Sequence, residues 1–175
     1  MNVLNISLLK QKFMRFMMTR GINLWPPFLG AGIRVISSNE SLTKIDVSMN
    51  LTWFNRNIVG TQFGGSLYAM CDPFYMAIIM NFLGPKYTVW DKAASIKFLK
   101  PGRERVFATF VIPLEELSAL KAEVDNLGKT EKVYSVDIVT ASGTKIANVT
   151  KTVWISKPSK RLSSDQAQEK MLMKH

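Results

Sequence analysis

Apolar residues along this 175-residue chain recur with two periods, and the places where one gives way to the other predict its elements. Leu8, Leu9, Phe13, Phe16 and Met17 fall at helical spacing, so an amphipathic helix is predicted over about residues 5–20, ending near Gly21. Trp25-Pro26-Pro27-Phe28 reads as a rigid, extended connection. Two runs rich in β-branched residues, 32–38 and 43–49, flank the turn-forming Ser38-Asn39-Glu40-Ser41 and predict a hairpin. Residues 50–65 read as a loop leading into a helix over 66–83. That helix is apolar nearly all round, with Leu67, Tyr68, Met70, Phe74, Met76, Ile78, Ile79, Met80 and Phe82. Such a helix belongs either in a protein core or in a membrane. Asp72, Pro73 and Asn81 argue for the core, because an aspartate at mid-bilayer is strongly penalised.

After Gly84-Pro85 the pattern turns to strands. Residues 88–99 form a long one, ended by Pro101-Gly102. Residues 106–112 are almost continuously apolar, as expected of a strand covered on both faces. Leu114, Leu117, Leu120, Val124 and Leu127 return to helical spacing over 114–127, with Gly128 as a stop. Tyr134, Val136 and Ile138 alternate with polar neighbours, and Ser142-Gly143 turns the chain into a last strand over 145–155. Several long strands and one helix that must bury its whole circumference imply an α+β fold, a curved antiparallel sheet wrapped around that helix. The expected organisation is a helix and linker over 1–29, one domain over 30–157 with a helical insert at 114–127, and a polar tail over 158–175.

Composition narrows the chemistry. The single cysteine, Cys71, excludes a disulfide framework and a multi-cysteine zinc site, and in its apolar run it reads as a small core residue. The single histidine, His175, leaves no multi-histidine metal site. The formal charge of +10 favours an anionic partner. No nucleic-acid-binding motif accompanies the dispersed lysines and arginines, so a phosphate-bearing ligand and a simply solvated surface stay open. No acidic residue precedes Glu40. The basic N-terminal segment reads as a docking helix, with a transit peptide or a membrane-surface helix as alternatives. Lys10 and Lys12 interrupt any secretory core region, and the expected location is cytoplasmic.

The candidate chemistry lies between residues 57 and 72. Asn57 stands six residues before Phe63-Gly64-Gly65, and Asp72 stands nine residues after Phe63. A carboxylate inside an apolar run is costly without partners. Asp72-Pro73 also reads as an N-cap followed by proline at the first helical position, and Asn57 and Gly64-Gly65 also read as turn residues.

Asn57, Gly60, Gly64, Gly65 and Asp72 resemble, in spacing, the motif of the hotdog-fold acyl-CoA thioesterases, especially the phenylacetate-pathway thioesterase group. Phe63 occupies that group's histidine position. The longer run from Phe63 to Phe74, with Val89-Trp90-Asp91-Lys92 and Phe98-Leu99-Lys100-Pro101-Gly102-Arg103, is similar to a less characterised branch carrying Phe for His and Asp-Pro in the helix. The resemblance covers roughly residues 30 to 157. It implies a hotdog fold, a dimer or tetramer of identical chains, and an acyl-CoA or acyl-carrier thioester as ligand, with coenzyme A as part of the substrate and no separate cofactor. It makes Asp72 the general base or nucleophile acting across a subunit interface, the Gly65 amide the oxyanion donor, and Asn57 the group that positions water or substrate. Phe63, Gly64 and Ser66 would line the substrate site. Lys92, Lys97 and Arg103, with Lys100 and Arg105, are candidates for the coenzyme's phosphates. A phenyl ring cannot donate the hydrogen bond a histidine would, so the resemblance leaves two functions: a slow thioesterase, or a non-catalytic acyl-CoA or lipid-binding protein.

Overall fold

A computed structural model of the chain describes residues 16–157. Most of the N-terminal helix expected over 5–20 and the polar tail expected from 158 lie outside the described residues. Beyond Phe16 the chain makes a π turn at Met17–Gly21 and a 3-10 turn at Ile22–Leu24. The Trp25-Pro26-Pro27-Phe28 segment is not an extended linker. Trp25 is extended, but both prolines lie in the first turn of a short helix, α1 (Pro26–Ala31). Proline suits that turn because its missing N–H would have no helical partner there and its fixed φ is already helical. Gly32, at φ 73°, ends the helix in the left-handed region that favours glycine.

Strands β1 (Ile33–Ser38) and β2 (Lys44–Met49) form the expected hairpin. The helical layer follows as α2 (Gly64–Ala69) and α3 (Phe74–Leu83). Next come β3 (Thr88–Phe98), β4 (Val106–Val111), α4 (Leu114–Leu127), β5 (Lys129–Thr140) and β6 (Lys145–Ser156). The strands make one antiparallel sheet in the order β1-β2-β4-β5-β6-β3. Its register shifts between Val35 and Ser37, Asp91 and Ala93, and Ile138 and Val139. Such bulges bend and twist a sheet, as wrapping requires. Helix α4 occupies the residues whose spacing predicts it, and Gly128 closes it at φ 80°. On β3 and β6, Trp90 and Trp154 are cross-strand partners stacked at 4.8 Å.

The core forms where α3 crosses the sheet. Phe74, Tyr75, Ile78, Ile79 and Leu83 of α3 are buried. Phe74 packs between Phe28 and Phe110, with centroids 6.0 and 4.8 Å away. Tyr75 stacks on Tyr134 at 4.8 Å and donates its hydroxyl to the Ser135 carbonyl at 2.8 Å. The stretch 64–83 is long and apolar enough to cross a membrane by composition, but Leu67, Met70, Phe74 and Ile78 are all buried against the sheet and its neighbours.

Two further expectations need correction. The helix expected over 66–83 is two helices, because Met70–Pro73 interrupts it. Pro73 has no N–H to continue the ladder, and Cys71 and Asp72 turn back on Tyr68 and Ala69 with tighter three-residue bonds. Strand β4 is covered on one face only. Val106, Ala108 and Phe110 are buried, while Val111 is 47% exposed and the Arg105 guanidinium lies 5.2 Å over the Phe107 ring. The outer face is thus apolar in sequence but shielded by a charged side chain rather than by a second layer.

Truncating Phe74→Ala is expected to lower the unfolding free energy by about 3–5 kcal/mol, whereas Val111→Ala is expected to change it by less than about 0.5 kcal/mol. Urea unfolding midpoints of the two variants check the contrast.

Candidate active site

The loop before α2 is built around Asn57. Its side-chain oxygen accepts the Val59 and Thr61 amides at 3.1 and 2.9 Å, and its side-chain nitrogen donates to Thr61 Oγ1 at 2.9 Å. Asn57 therefore closes a turn, as local rules allow, and its polar atoms are engaged within that turn. Gln62, almost fully buried, ties the loop to the 102–104 segment. Its amide donates to the Gly102 carbonyl at 2.8 Å, and its side-chain nitrogen donates to the Met49 and Glu104 carbonyls at 3.3 and 3.1 Å. Loop and segment enclose a cleft of about 420 Å³ whose lining includes Asn57, Gly64, Phe98, Lys100 and Arg103.

Phe63 is extended and immediately precedes α2. The first amides of a helix have no partner within it, so Gly64, Gly65 and Ser66 start a turn whose N–H groups are available. The glycines do not leave open space, however. A Cβ on Gly65 would lie 2.6 Å from the Phe63 ring, and one on Gly64 would lie 2.9 Å from the Phe98 ring. Both rings are more than half exposed, at 54% and 60%. The two glycines let two phenyl rings lie against the helix start, and a ligand carbonyl reaching those amides must pass the rings.

Asp72 does not cap the helix that follows it. Pro73 holds the N-cap position of α3, without a side-chain cap. The Asp72 carboxylate instead takes two hydrogen bonds on one oxygen, Oδ1, from the Tyr68 hydroxyl at 3.1 Å and from Lys151 Nζ at 3.0 Å. Lys151 Nζ also donates to the Asp72 backbone carbonyl and to Asp91 Oδ2. The Lys151 side chain is 0% exposed, that of Asp91 18% and that of Asp72 50%. Asp91 Oδ1 is buried and has no hydrogen-bond partner among the described residues. Burial works against the Lys151 ammonium, yet its hydrogen bonds to Asp91 and Asp72 outweigh it and hold its pKa above the ordinary lysine value. Burial also lifts the Asp91 carboxyl above its usual range, against the pull of Lys151. Burial pushes the Tyr68 phenol up, keeping it a donor.

The other candidates separate. Arg103 and Lys100 line the cleft. Lys92 is held by Glu131, and Lys97 is exposed on β3 away from the cleft lining. Arg105 donates to Ser48 Oγ at 2.8 Å. Cys71 is fully buried, and burial pushes its thiol up to about 12, so no thiolate is present near neutral pH. Within one chain the catalytic candidates thus fall into two groups, the cleft with the glycine turn and the Asp72 cluster, and Lys92, Lys97 and Arg105 belong to neither.

Lys151, Asp91 and Tyr68 are absent from the sequence-based candidates. A signal for Lys151 existed. Ala147, Val149, Val153 and Ile155 are all buried, and Lys151 stands in phase with them on β6. A lysine in the inward phase of a strand must have buried partners. Lys151→Met strands the Asp91 charge and is expected to destabilise the fold by about 3–5 kcal/mol. Adding Asp91→Leu is expected to restore most of that loss, as seen in thermal and urea unfolding of both variants.

The fold has known counterparts. A probable thioesterase from Pseudomonas aeruginosa superposes with a TM-score of 0.71 at 15% identity, over 83% of this chain and 95% of its own. A thioesterase from Haemophilus influenzae gives 0.60 at 17% identity, over 81% and 90% of the two chains. The PaaI protein of the E. coli phenylacetic acid degradation operon gives 0.56 at 18%, over 86% and 94%. No curated protein matches the sequence. A family model described as a domain of unknown function, DUF4442, matches residues 11–155. Six antiparallel strands around an interrupted central helix, together with that match, make this chain a hotdog-fold member of the DUF4442 family.

Proposed function

We propose that the protein hydrolyses an acyl-CoA or acyl-carrier thioester, with Asp72 as its general base or nucleophile. The observation that carries this reading is the state of Asp72: a half-exposed carboxylate in an apolar helical layer, with one oxygen held by two donors and the other, Oδ2, without a protein partner among the described residues. As a base, Asp72 takes a proton from water while the water oxygen bonds to the thioester carbonyl carbon. The C–S bond then breaks, and the products are a carboxylic acid and a thiol. Amides at the start of α2 would receive the developing oxyanion. Lys100 and Arg103 at the cleft suit the phosphates of coenzyme A. The fold neighbours include a thioesterase, which supports the reaction class.

The cleft lining does not include Asp72, and in this reading a second copy brings its Asp72 to the glycine turn. Strand β3 ends the sheet order, runs for 11 residues and has no buried residue. A long unpaired edge is a template for another strand, so a homodimer paired through β3 is part of the proposal. One observation favours the alternative, an acyl-CoA or lipid-binding protein without turnover: Phe63 stands where a histidine would help orient the thioester, and the Phe63 and Phe98 rings cover the glycine turn.

Thiol release from acyl-CoAs ranging from acetyl to long-chain tests the proposal. At least one is expected to be cleaved, and Asp72→Asn is expected to lower kcat/KM by about 10²–10⁴-fold without altering the unfolding midpoint. Saturable binding with no cleavage at any chain length would establish the binding reading instead. Light scattering is expected to give a dimer or larger, and a monomer would exclude a site shared between subunits.

A further inference from the structure

The inward row of β6 runs Ala147, Val149, Lys151, Val153 and Ile155, and all five side chains are buried. Four are apolar, and a fifth apolar residue would complete the row. Stability alone does not account for Lys151, because a buried ion pair is commonly no better than an apolar pair of the same volume. What distinguishes the lysine is what it grips.

We propose that Lys151, backed by Asp91 and joined by Tyr68, is a positioning residue that fixes the Asp72 carboxylate so that its Oδ2 is presented to substrate. This inference rests on the thioesterase reading above and adds three residues to it.

All three protons of the Lys151 ammonium are engaged: one with the Asp72 carbonyl, one with Asp72 Oδ1 and one with Asp91 Oδ2. Holding the backbone and the side chain of one residue at once leaves Asp72 little rotamer freedom. Tyr68, one helical turn earlier, donates to the same Oδ1 at 3.1 Å. Both donors therefore take one oxygen and leave the other to the solvent side. Asp91 makes this workable. A lone ammonium would neutralise Asp72 and blunt it as a base or nucleophile. The more buried Asp91 also pairs with the ammonium, so Asp72 is not its only counter-ion. Asp91 retains a buried oxygen without a partner among the described residues, an arrangement more readily accounted for by function than by stability.

Single removal of Lys151 or Asp91 leaves a buried unpaired charge, so the test uses the pair Lys151→Met with Asp91→Leu, and separately Tyr68→Phe, in the full-length protein. The readout is hydrolysis of the acyl-CoA that the wild type cleaves best. A misplaced catalytic group commonly costs about 10²-fold in rate. The paired variant is expected to lose about 10–100-fold in kcat with KM within about twofold, and Tyr68→Phe to lose several-fold in kcat alone. In an Asp72→Asn background the same substitutions are expected to change the residual rate by less than about twofold, because their effect passes through Asp72. A merely structural role would lower the rate equally in both backgrounds, and that result overturns the inference. Wild-type kcat in a folded paired variant, or in Tyr68→Phe should the pair not fold, also overturns it and leaves the thioesterase reading standing. A wild type that cleaves no acyl-CoA overturns both.

Discussion

The structure turns on a break in a helix at the centre of the molecule. A sheet that curls around a helix needs that helix apolar on every side, and here the helix is interrupted inside the wrapped space. Pro73 removes an N–H, and the Asp72 carbonyl next to it takes its hydrogen bond from a side chain and not from a helical amide. The Lys151 ammonium meets that carbonyl from the opposite strand. A charge placed in the core then requires its own balance, which Asp91 supplies from the neighbouring strand. The interruption, the buried lysine and the buried aspartate are joined by hydrogen bonds into one arrangement. The turn they allow brings a carboxylate to the surface from within the core layer.

Much of the fold was legible because its elements obey local rules. The first hairpin, the helix at Leu114–Leu127 and the glycine that ends it follow from β-branched runs, helical spacing and the left-handed preference of glycine. The failures share one cause, the contacts that local rules leave out. Trp25-Pro26-Pro27-Phe28 reads as extended because proline restrains the residue before it, yet the same rings fit the first turn of a helix when a core lies beneath Phe28. Strand β4 reads as doubly covered because Phe107 and Val111 are apolar, and sequence does not show that Arg105 folds over one of them.

The candidate site was legible as positions and not as contacts. Asn57, Gly64, Gly65 and Asp72 stand out by spacing, but what they touch comes from far along the chain. Lys151 reaches Asp72 across 79 residues and Asp91 across 60. Phe98 covers Gly64 from the far end of β3. A bulge between Asp91 and Ala93 shifts the inward phase of that strand, so that Asp91 before it and Ile96 and Phe98 after it all turn toward the helical layer. A two-residue alternation read straight through β3 puts one half on the wrong face. Lys151 was the exception. Its phase on β6 is regular, and a lysine among four buried apolar residues is a signal in the sequence itself.

The stacked indoles of Trp90 and Trp154 sit on the same pair of strands that supplies Asp91 and Lys151. Two indoles this close share their electronic excitation, which gives a paired band of opposite signs in ultraviolet circular dichroism. The signal depends on the two strands being zipped together and not on any ligand or on chemistry at the site. The protein thus carries its own optical reporter of whether the edge strand is in place.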